Sequence, residues 1–171
     1  MNAHLPHRTW TVGALLGTSS WYAIDQRRID GFAVLTDDEE PLHNDPAWCR
    51  DNSPFGRTIA HGFLTLSLLT RFISEITGNA LVGTVEKTGF PLNYGFDRIR
   101  FISPVPEGSR IRCHATLQNR EAHKDGDMLR FLVSIEVEGM EKPALTAEWL
   151  TLWVADGRIS EIGRASCRER V

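Results

Sequence analysis

Apolar residues recur at every second position through much of the second half of the chain. The alternating runs cover residues 93–102, 110–118 and 129–137, and a fourth apolar segment covers 145–154. Side chains along a strand point to opposite faces in turn, so these segments predict four β-strands with one covered face. Turn-forming residues at 103–108 and 125–127 separate them. Short turns between successive strands predict an antiparallel sheet.

A helical pattern precedes this sheet, between Ala60 and Gly78. Its apolar members are Phe63, Leu64, Leu66, Leu68, Leu69, Phe72, Ile73 and Ile76. They leave only a narrow polar stripe, which predicts a helix buried on nearly all sides. Gly78 fits the residue that follows a helix C-terminus. One buried helix beside an antiparallel sheet indicates the α+β class.

Two shorter helices are predicted from their capping residues. Asp25 precedes a helical pattern over residues 26–32, and Asp45 precedes Pro46 at the start of a helix over 46–50. A capping carboxylate, and Pro at the first helical position, are typical of helix N-termini. The aromatic-rich segment 20–25 has the composition of a short strand.

Composition excludes several classes of function. The chain has 171 residues, 42% of them hydrophobic, and a net charge of -3. Nucleic acid is not an expected partner, because phosphate binding needs a concentrated basic surface. The apolar stretch 63–76 is too short and too polar to span a bilayer, and the N-terminus lacks a signal-peptide pattern, so we expect no membrane partner.

The cysteines and the C-terminus add two expectations. Cys49, Cys113 and Cys167 are far apart and have no CxxC spacing, which argues against a zinc site or a disulfide framework and fits a cytoplasmic protein. Residues 161–171, EIGRASCRERV, resemble the translation of a common sequencing-adapter oligonucleotide, although an ordinary basic tail is the alternative. We therefore predict one domain over 1–160 and a non-native tail over 161–171.

The residues that could carry chemistry lie between Thr36 and Gly78. Asp38 and His43 are five positions apart in an acidic loop, and Gly62 lies near the start of the buried helix. A carboxylate and an imidazole can activate a water, and an N–H at a helix N-terminus can stabilise an oxyanion. By spacing alone, a turn-forming Asp38 and a surface His43 fit at least as well. The sequence contains no phosphate-binding Gly loop and no metal-ligand motif.

Two blocks of this stretch resemble the MaoC-like dehydratases, also called R-specific enoyl-CoA hydratases, and within them the NodN-like branch. The first block, TDDEEPLHND at 36–45, is similar to the family pattern Thr-Gly-Asp-x-Gln/Asn-x-Ile/Leu-His-x-Asp. The second block, SPFGRTIAHGFL at 53–64, is a close match. The resemblance extends over roughly residues 10–155.

The resemblance implies the hot dog fold, in which an antiparallel sheet wraps a long central helix, and assembly as a homodimer or a larger homo-oligomer. It implies that Asp38 and His43 are the catalytic pair and that the backbone N–H of Gly62 holds the thioester oxygen. The candidates for substrate contact are His61, Arg57, Asn93 and Tyr94. Ordinary packing for His61, Asn93 and Tyr94, and a solvated surface position for Arg57, are the alternatives.

The implied activity is hydration of a 2-enoyl thioester, or dehydration of a 3-hydroxyacyl thioester. The partner is then an acyl-CoA or an acyl-carrier-protein thioester. No metal and no redox cofactor are expected, since coenzyme A enters only as part of the substrate. Three alternatives stay open: a hot dog thioesterase, a non-catalytic dimerising or ligand-binding protein, and a specialised-pathway dehydratase with a non-CoA substrate.

Two positions depart from the family pattern. Asp37 stands where the family has Gly, and Glu40 stands where it has Gln or Asn. A Gly in such a loop can adopt positive φ, which Asp tolerates at some energetic cost. The spacing from Asp38 to His43 is kept, so the departure bears on the level of activity rather than on the presence of the pair.

Overall fold

The structure is a computed structural model that describes residues 6–78 and 89–154. Its helices are a 3-10 helix, Pro6–Thr9, and α1 Gln26–Thr36, α2 Pro41–Asn44, α3 Pro46–Asn52, α4 Gly62–Ser67 and α5 Leu69–Ile76. Its strands are β1 Leu15–Thr18, β2 Tyr22–Ala23, β3 Phe90–Phe101, β4 Arg110–His123, β5 Gly126–Val137 and β6 Leu145–Val154.

All four predicted strands are present and form one antiparallel sheet with two short additions. The strand order is β1-β4-β5-β6-β3, and β2 also pairs with β4. Strand β2 falls in the aromatic-rich segment predicted as a short strand. Strand β1 was not predicted, because its four residues are half-buried or exposed and carry no alternating pattern.

The central helix departs from its prediction in two ways. It begins at Gly62, and it is divided at Leu68 into α4 and α5. Near the division the hydroxyl of Ser67 donates to the carbonyl of Leu64 at 2.7 Å, so a side chain competes with the backbone for helical acceptors. The expectation of burial on nearly all sides is wrong, since Phe63 is 67% exposed in the single chain. Gly78 has φ of 61°, as a residue after a helix C-terminus often does.

The hydrophobic core lies between α5 and the inner face of the sheet. Leu69, Phe72 and Ile73 supply the helix side of this core. The predicted apolar rows of β4 and β5 are buried as expected: Ile111, Cys113, Ala115, Leu117, Leu129, Phe131, Val133, Ile135 and Val137. Burial of each large side chain contributes about 1.5–3 kcal/mol. One helix on one antiparallel sheet is the α+β hot dog fold that the resemblance implies.

Three further expectations concern the membrane, the cysteines and the C-terminal tail. None of the described helices combines the length and the apolar character that crossing a membrane needs. Cys49 and Cys113 are buried free thiols. The predicted tail at 161–171 and the domain end at residue 160 lie outside the described residues.

Candidate active site

The carboxylate of Asp38 is presented by the turn that ends α1. Asp37 adopts the left-handed conformation, with φ of 55°, and its N–H donates to the carbonyl of Ala33. The N–H of Asp38 donates to the same carbonyl at 3.1 Å. Helices commonly end this way with Gly, so positive φ at this position is confirmed although Asp occupies it. The turn leaves the side chain of Asp38 54% exposed.

His43 lies on the short helix α2 with its ring fixed by one hydrogen bond. Its Nδ1 is 2.7 Å from the carbonyl oxygen of Ile59. Because a carbonyl oxygen can only accept, Nδ1 carries the proton, and in a neutral ring Nε2 keeps a lone pair. His43 therefore offers a hydrogen-bond acceptor and proton acceptor at Nε2.

Gln26 connects α1 to the two segments that carry the site. Its Nε2 donates to the backbone oxygen of His43 at 2.8 Å and to Oδ1 of Asp30 at 2.7 Å. Its Oε1 accepts a hydrogen bond from the hydroxyl of Thr58 at 2.5 Å. Gln26 forms no sequence motif with these residues, since His43 and Thr58 lie 17 and 32 positions away. No sequence signal could have identified it as a residue that positions the site.

His61 is buried against Asp38 and His43. Its ring stacks on that of His43 at 3.8 Å between centroids, with an interplanar angle of 29°. Its Nε2 donates to the backbone oxygen of Asp38 at 3.0 Å and lies 3.9 Å from the carboxylate Oδ2. His61 Nδ1 is buried and has no hydrogen-bond partner among the described residues. His61 thus ties the turn of Asp38 to the ring of His43.

Asp38, His43 and His61 bring one ligating atom each to within 4.8 Å of one another. A single water that contacts two such atoms at about 2.8 Å each spans a gap of this size. A zinc ion needs its ligands at about 2.0–2.2 Å, which demands closer atoms. Lone pairs of imidazole lie in the ring plane, and those of two stacked rings run side by side rather than converge. The spacing of these atoms suits a bound water that contacts two of them.

Gly62 lines a cavity of about 300 Å³, here called the Gly62 cavity. Its lining residues are His43, Ile59, Ala60, Gly62, Thr65, Phe101, Ile102, Ser103, Pro104, Val105 and Ala144. Gly62 is the first residue of α4, and its N–H has no acceptor among the described residues. A Cβ at this position would lie 3.0 Å from the ring of Phe101, so only Gly allows the ring to approach this closely.

Cys49 packs beneath α2 with its thiol buried. Its Sγ lies 3.4 Å from the carbonyl oxygens of Pro41 and Leu42. Burial, with a smaller contribution from Asp45, raises the pKa of the Cys49 thiol. A thiol that stays protonated is a weak nucleophile, so Cys49 contributes packing.

The remaining candidates lie apart from this cavity. Asn93 lines a second cavity, and its Oδ1 accepts a hydrogen bond from Trp149 Nε1 at 2.8 Å. Tyr94 is 58% exposed and its ring contacts that of His123. The guanidinium of Arg57 is 3.5 Å from the backbone oxygen of Glu107 and lines neither cavity. The structure thus gathers four of the seven candidate residues at one place: Asp38, His43, His61 and Gly62.

Similar known proteins support membership of the chain in a known family. Residues 9–142 match the family described as MaoC like domain. The chain is 43% identical over 142 residues to nodulation protein N of Rhizobium meliloti, covering 82% of this chain and 85% of that protein. It is 38% identical over 144 residues to 3-hydroxyacyl-thioester dehydratase Z of Mycobacterium tuberculosis, covering 84% of this chain and 91% of that protein.

A solved structure supports the fold independently. An R-hydratase of Pseudomonas aeruginosa in its unliganded form is similar with a TM-score of 0.69 at 21% identity, over 89% of this chain and 87% of that chain. At this identity the likeness shows the hot dog fold alone. The family match and the two sequence relatives go further, and they show that the chain belongs to the MaoC-like dehydratase family, in its NodN-like branch.

Proposed function

We propose that this protein adds water to a 2-enoyl thioester and catalyses the reverse dehydration of a 3-hydroxyacyl thioester. The observation that carries the proposal is the closeness of Asp38 and His43, which bring one polar atom each to within 4.8 Å, beside a mainly apolar cavity that His43 and Gly62 line. The M. tuberculosis relative is named a 3-hydroxyacyl-thioester dehydratase, which supports the substrate class. Acyl-CoA is the proposed carrier, and an acyl-carrier protein is the alternative.

In the proposed mechanism one water donates hydrogen bonds to the Asp38 carboxylate and to Nε2 of His43. Both are acceptors when the proton of His43 is on Nδ1, where Ile59 holds it. The water oxygen keeps a lone pair that attacks C3 of the enoyl chain while Asp38 removes a proton. Positioned acid–base groups of this kind contribute about 10²–10⁴-fold to a rate.

Attack at C3 moves negative charge through the double bond to the thioester oxygen. The Gly62 N–H donates a hydrogen bond to this enolate oxygen, at the positive end of the helix dipole. The enolate then takes a proton at C2 from the Asp38–His43 pair. One OH has been added at C3 and one H at C2, and the pair returns to its starting protonation state.

The proposed assembly is a homodimer that pairs through β3. This strand ends the described strand order, so its outer backbone groups have no partner strand among the described residues. Phe63, Tyr94 and Phe101, on or next to this strand, are 67%, 58% and 50% exposed. An unpaired edge flanked by aromatic side chains suits a second copy of the chain. Light scattering that reports a monomer at micromolar concentration would reject this assembly.

The first experiment follows loss of the conjugated enoyl absorbance of crotonyl-CoA. Asp38→Asn keeps the size of the side chain and removes its basicity, so we expect kcat to fall by about 10²-fold or more. Glu39→Gln is the matched control, because it removes a neighbouring charge of the same loop and should leave the rate unchanged. Unfolding curves of both variants should match that of the parent protein, since Asp38 is 54% exposed.

Three other outcomes would replace the proposal. Release of free thiol without loss of the enoyl absorbance would indicate a thioesterase on the same scaffold. Turnover that is equal in the parent protein and in Asp38→Asn would remove the catalytic role of the pair. Absence of turnover with short, long and branched enoyl thioesters on both carriers, in a folded protein, would favour a non-catalytic binding function.

A further inference from the structure

Four polar side chains near the site form a hydrogen-bonded network that joins three segments of the chain. They are Gln26, Asp30, Asn44 and Thr58, here called the Gln26 network. Gln26 and Asp30 lie on α1, Asn44 is the last residue of α2, and Thr58 precedes α4. None of the four lines the Gly62 cavity, so the network can affect a reaction there only through other residues.

The orientation of the Gln26 amide follows from its partners. The carboxylate Oδ1 of Asp30 and the backbone oxygen of His43 both accept, so the amide nitrogen of Gln26 must face them. The amide oxygen then faces Thr58, whose hydroxyl donates to it. The same Oδ1 of Asp30 accepts from the amide nitrogen of Asn44 at 2.8 Å. One carboxylate oxygen therefore orients two amides on two helices.

The Gln26 amide contacts both sides of the hydrogen bond that fixes the His43 ring. That bond joins His43 Nδ1 to the carbonyl oxygen of Ile59 at 2.7 Å. On one side, Gln26 donates to the backbone oxygen of His43. On the other side, it accepts from Thr58, the residue that precedes Ile59. A hydrogen bond from the Ile59 N–H to the backbone oxygen of Leu42, at 3.2 Å, links the same two segments.

The backbone oxygen of His43 depends on this side-chain donor. Helix α2 ends at Asn44, and the last four carbonyls of a helix have no helical N–H as a partner. No backbone N–H of the described residues donates to the His43 oxygen. Loss of the Gln26 amide therefore favours a shift of α2 that brings this oxygen to water and takes the His43 ring away from Ile59.

We infer that Gln26, oriented by Asp30, is a positioning residue that keeps the proton of His43 on Nδ1. Which nitrogen of a neutral histidine carries the proton is set by the hydrogen bonds that the ring makes. An Nδ1–H held by Ile59 leaves the lone pair of Nε2 for the water of the proposed mechanism. The catalytic consequence rests on the proposed hydratase function, and the inference adds to that function a residue that does not touch the substrate.

The kinetic test is Gln26→Met, which keeps the approximate length of the side chain and removes the amide. The nitrogen that binds the water is then misplaced while the lining of the Gly62 cavity is kept. For crotonyl-CoA hydration, kcat should fall by about tenfold and KM should stay within about twofold. The matched control is Gln118→Met, the same exchange at an exposed position of β4, which should leave both constants unchanged.

A nitrogen NMR spectrum reports the position of the His43 proton without turnover. At about pH 8.5, about two units above the ordinary pKa of a histidine, the parent protein should show His43 protonated on Nδ1. The signal is assigned by its loss in His43→Gln. In Gln26→Met the ring should show a mixture of the two neutral forms, and in Gln118→Met it should not change. A merely structural role of Gln26 would lower the melting temperature without moving this signal.

The two measurements separate this inference from the proposed function. Hydration by the parent protein, with either kcat or the His43 signal unaltered in Gln26→Met, would overturn the inference and leave the proposed function standing. Absence of hydration by the parent protein, with a changed His43 signal in Gln26→Met, would reject the proposed function and retain the positioning of His43 by Gln26.

A second pair of variants applies if Gln26→Met does not fold. Thr58→Val removes the hydroxyl that donates to Gln26 and keeps the shape of the side chain, so it should change the His43 signal in the same direction. Thr58→Ser keeps the hydroxyl and should retain the signal of the parent protein. Identical His43 signals in Thr58→Val and Thr58→Ser would overturn the inference.

Discussion

Two histidines, His61 and His7, are buried in similar ways at opposite ends of the molecule. Each donates a hydrogen bond through Nε2, and each has a buried Nδ1 without a partner among the described residues. His61 stacks on His43 at 3.8 Å, and His7 lies 4.7 Å from the ring of Trp153. Both also have a carboxylate nearby. The residue types are the same, but only His61 lies beside the residues proposed to be catalytic.

The difference lies in what each carboxylate does. Asp127 accepts hydrogen bonds at Oδ2 from His7 at 2.8 Å and from Arg8 at 3.1 Å, and it thereby fixes residues 7 and 8 to the sheet. Asp38 is 54% exposed, and His61 binds its backbone oxygen rather than its carboxylate. The carboxylate proposed to be catalytic is thus one that the fold positions and leaves exposed, whereas the carboxylate of Asp127 is held by two donors.

The largest change that tests this contrast is Asp127→Asn. It removes the charge that two donors share, and charge-assisted hydrogen bonds contribute about 1.5–3 kcal/mol, so we expect the free energy of unfolding to fall by about 2 kcal/mol. The rate of crotonyl-CoA hydration should not change. Asp127 pairs with Trp153, about 26 Å along β6 from the end that borders the Gly62 cavity. Urea unfolding and the hydration assay report the two quantities on the same preparation.

For Asp38 we expect the opposite result: unchanged stability and a lower rate. Asp38→Asn should leave the urea midpoint unchanged and lower kcat by about 10²-fold or more. If Asp127→Asn lowered activity as strongly as it lowered stability, the two ends of the sheet would be coupled. The division into a structural and a catalytic carboxylate would then be wrong.

The sheet could be predicted from the sequence because its signal is local. Alternation along β4 and β5 specifies which side chains are buried, whatever the neighbouring strand is. The structure departs from the prediction where this pattern is weak, or where packing rather than periodicity determines which side chains are buried. Strand β1 is four residues long, and Phe63 lies in an apolar helix but is exposed in the single chain.

The site could be predicted only as far as its two motifs reach. The first motif identified Asp38 and His43, and the second identified His61 and Gly62. The contacts that position them are between distant residues, such as those of Gln26 with Thr58 and of His43 with Ile59. The second cavity depends on the register that sets Asn93 opposite Thr151. Periodicity does not determine a register between strands more than fifty positions apart.

A smaller change, Asp37→Gly, sharpens the comparison at the end of the molecule that holds Asp38. Asp37 is the one non-glycine residue with positive φ among those described. The left-handed region disfavours side chains, so Gly should raise the free energy of unfolding by about 0.5–1 kcal/mol. The turn is already formed with Asp, so the rate of hydration should stay the same. Glu39→Gly is the control and should be slightly destabilising, because Glu39 has no positive φ to relieve.

A strong rise in activity with Asp37→Gly would have a different meaning. It would indicate that Asp37 holds the Asp38 turn in an unproductive arrangement. Differential scanning calorimetry and the crotonyl-CoA assay, run on the two variants side by side, distinguish relief of strain from repair of the site.

The smallest effect concerns the pH dependence of stability at the structural histidine. Burial lowers the pKa of His7 below 6.5, against the opposing hydrogen bond to Asp127, and the nearby charges of Arg8 and Arg120 lower it further. The unfolded chain therefore binds this proton more readily than the folded chain, and stability falls as the pH drops through about 6.5. The pKa of Asp127 is lowered as well, because its hydrogen bonds from His7 and Arg8 outweigh the opposing effect of burial. This second shift changes stability in a separate pH range, below about 3.8.

His7→Gln keeps a hydrogen-bond donor near Asp127 and removes the titrating ring. The loss of melting temperature between about pH 7.5 and about pH 5.5 should therefore be smaller in His7→Gln than in the parent protein. The comparison uses this difference between two pH values, so a constant destabilisation of the variant does not affect it. Equal losses in the two proteins would mean that His7 binds its proton equally well in the folded and unfolded chain. In that case the buried pair at the structural end would hold the sheet without making it sensitive to acid.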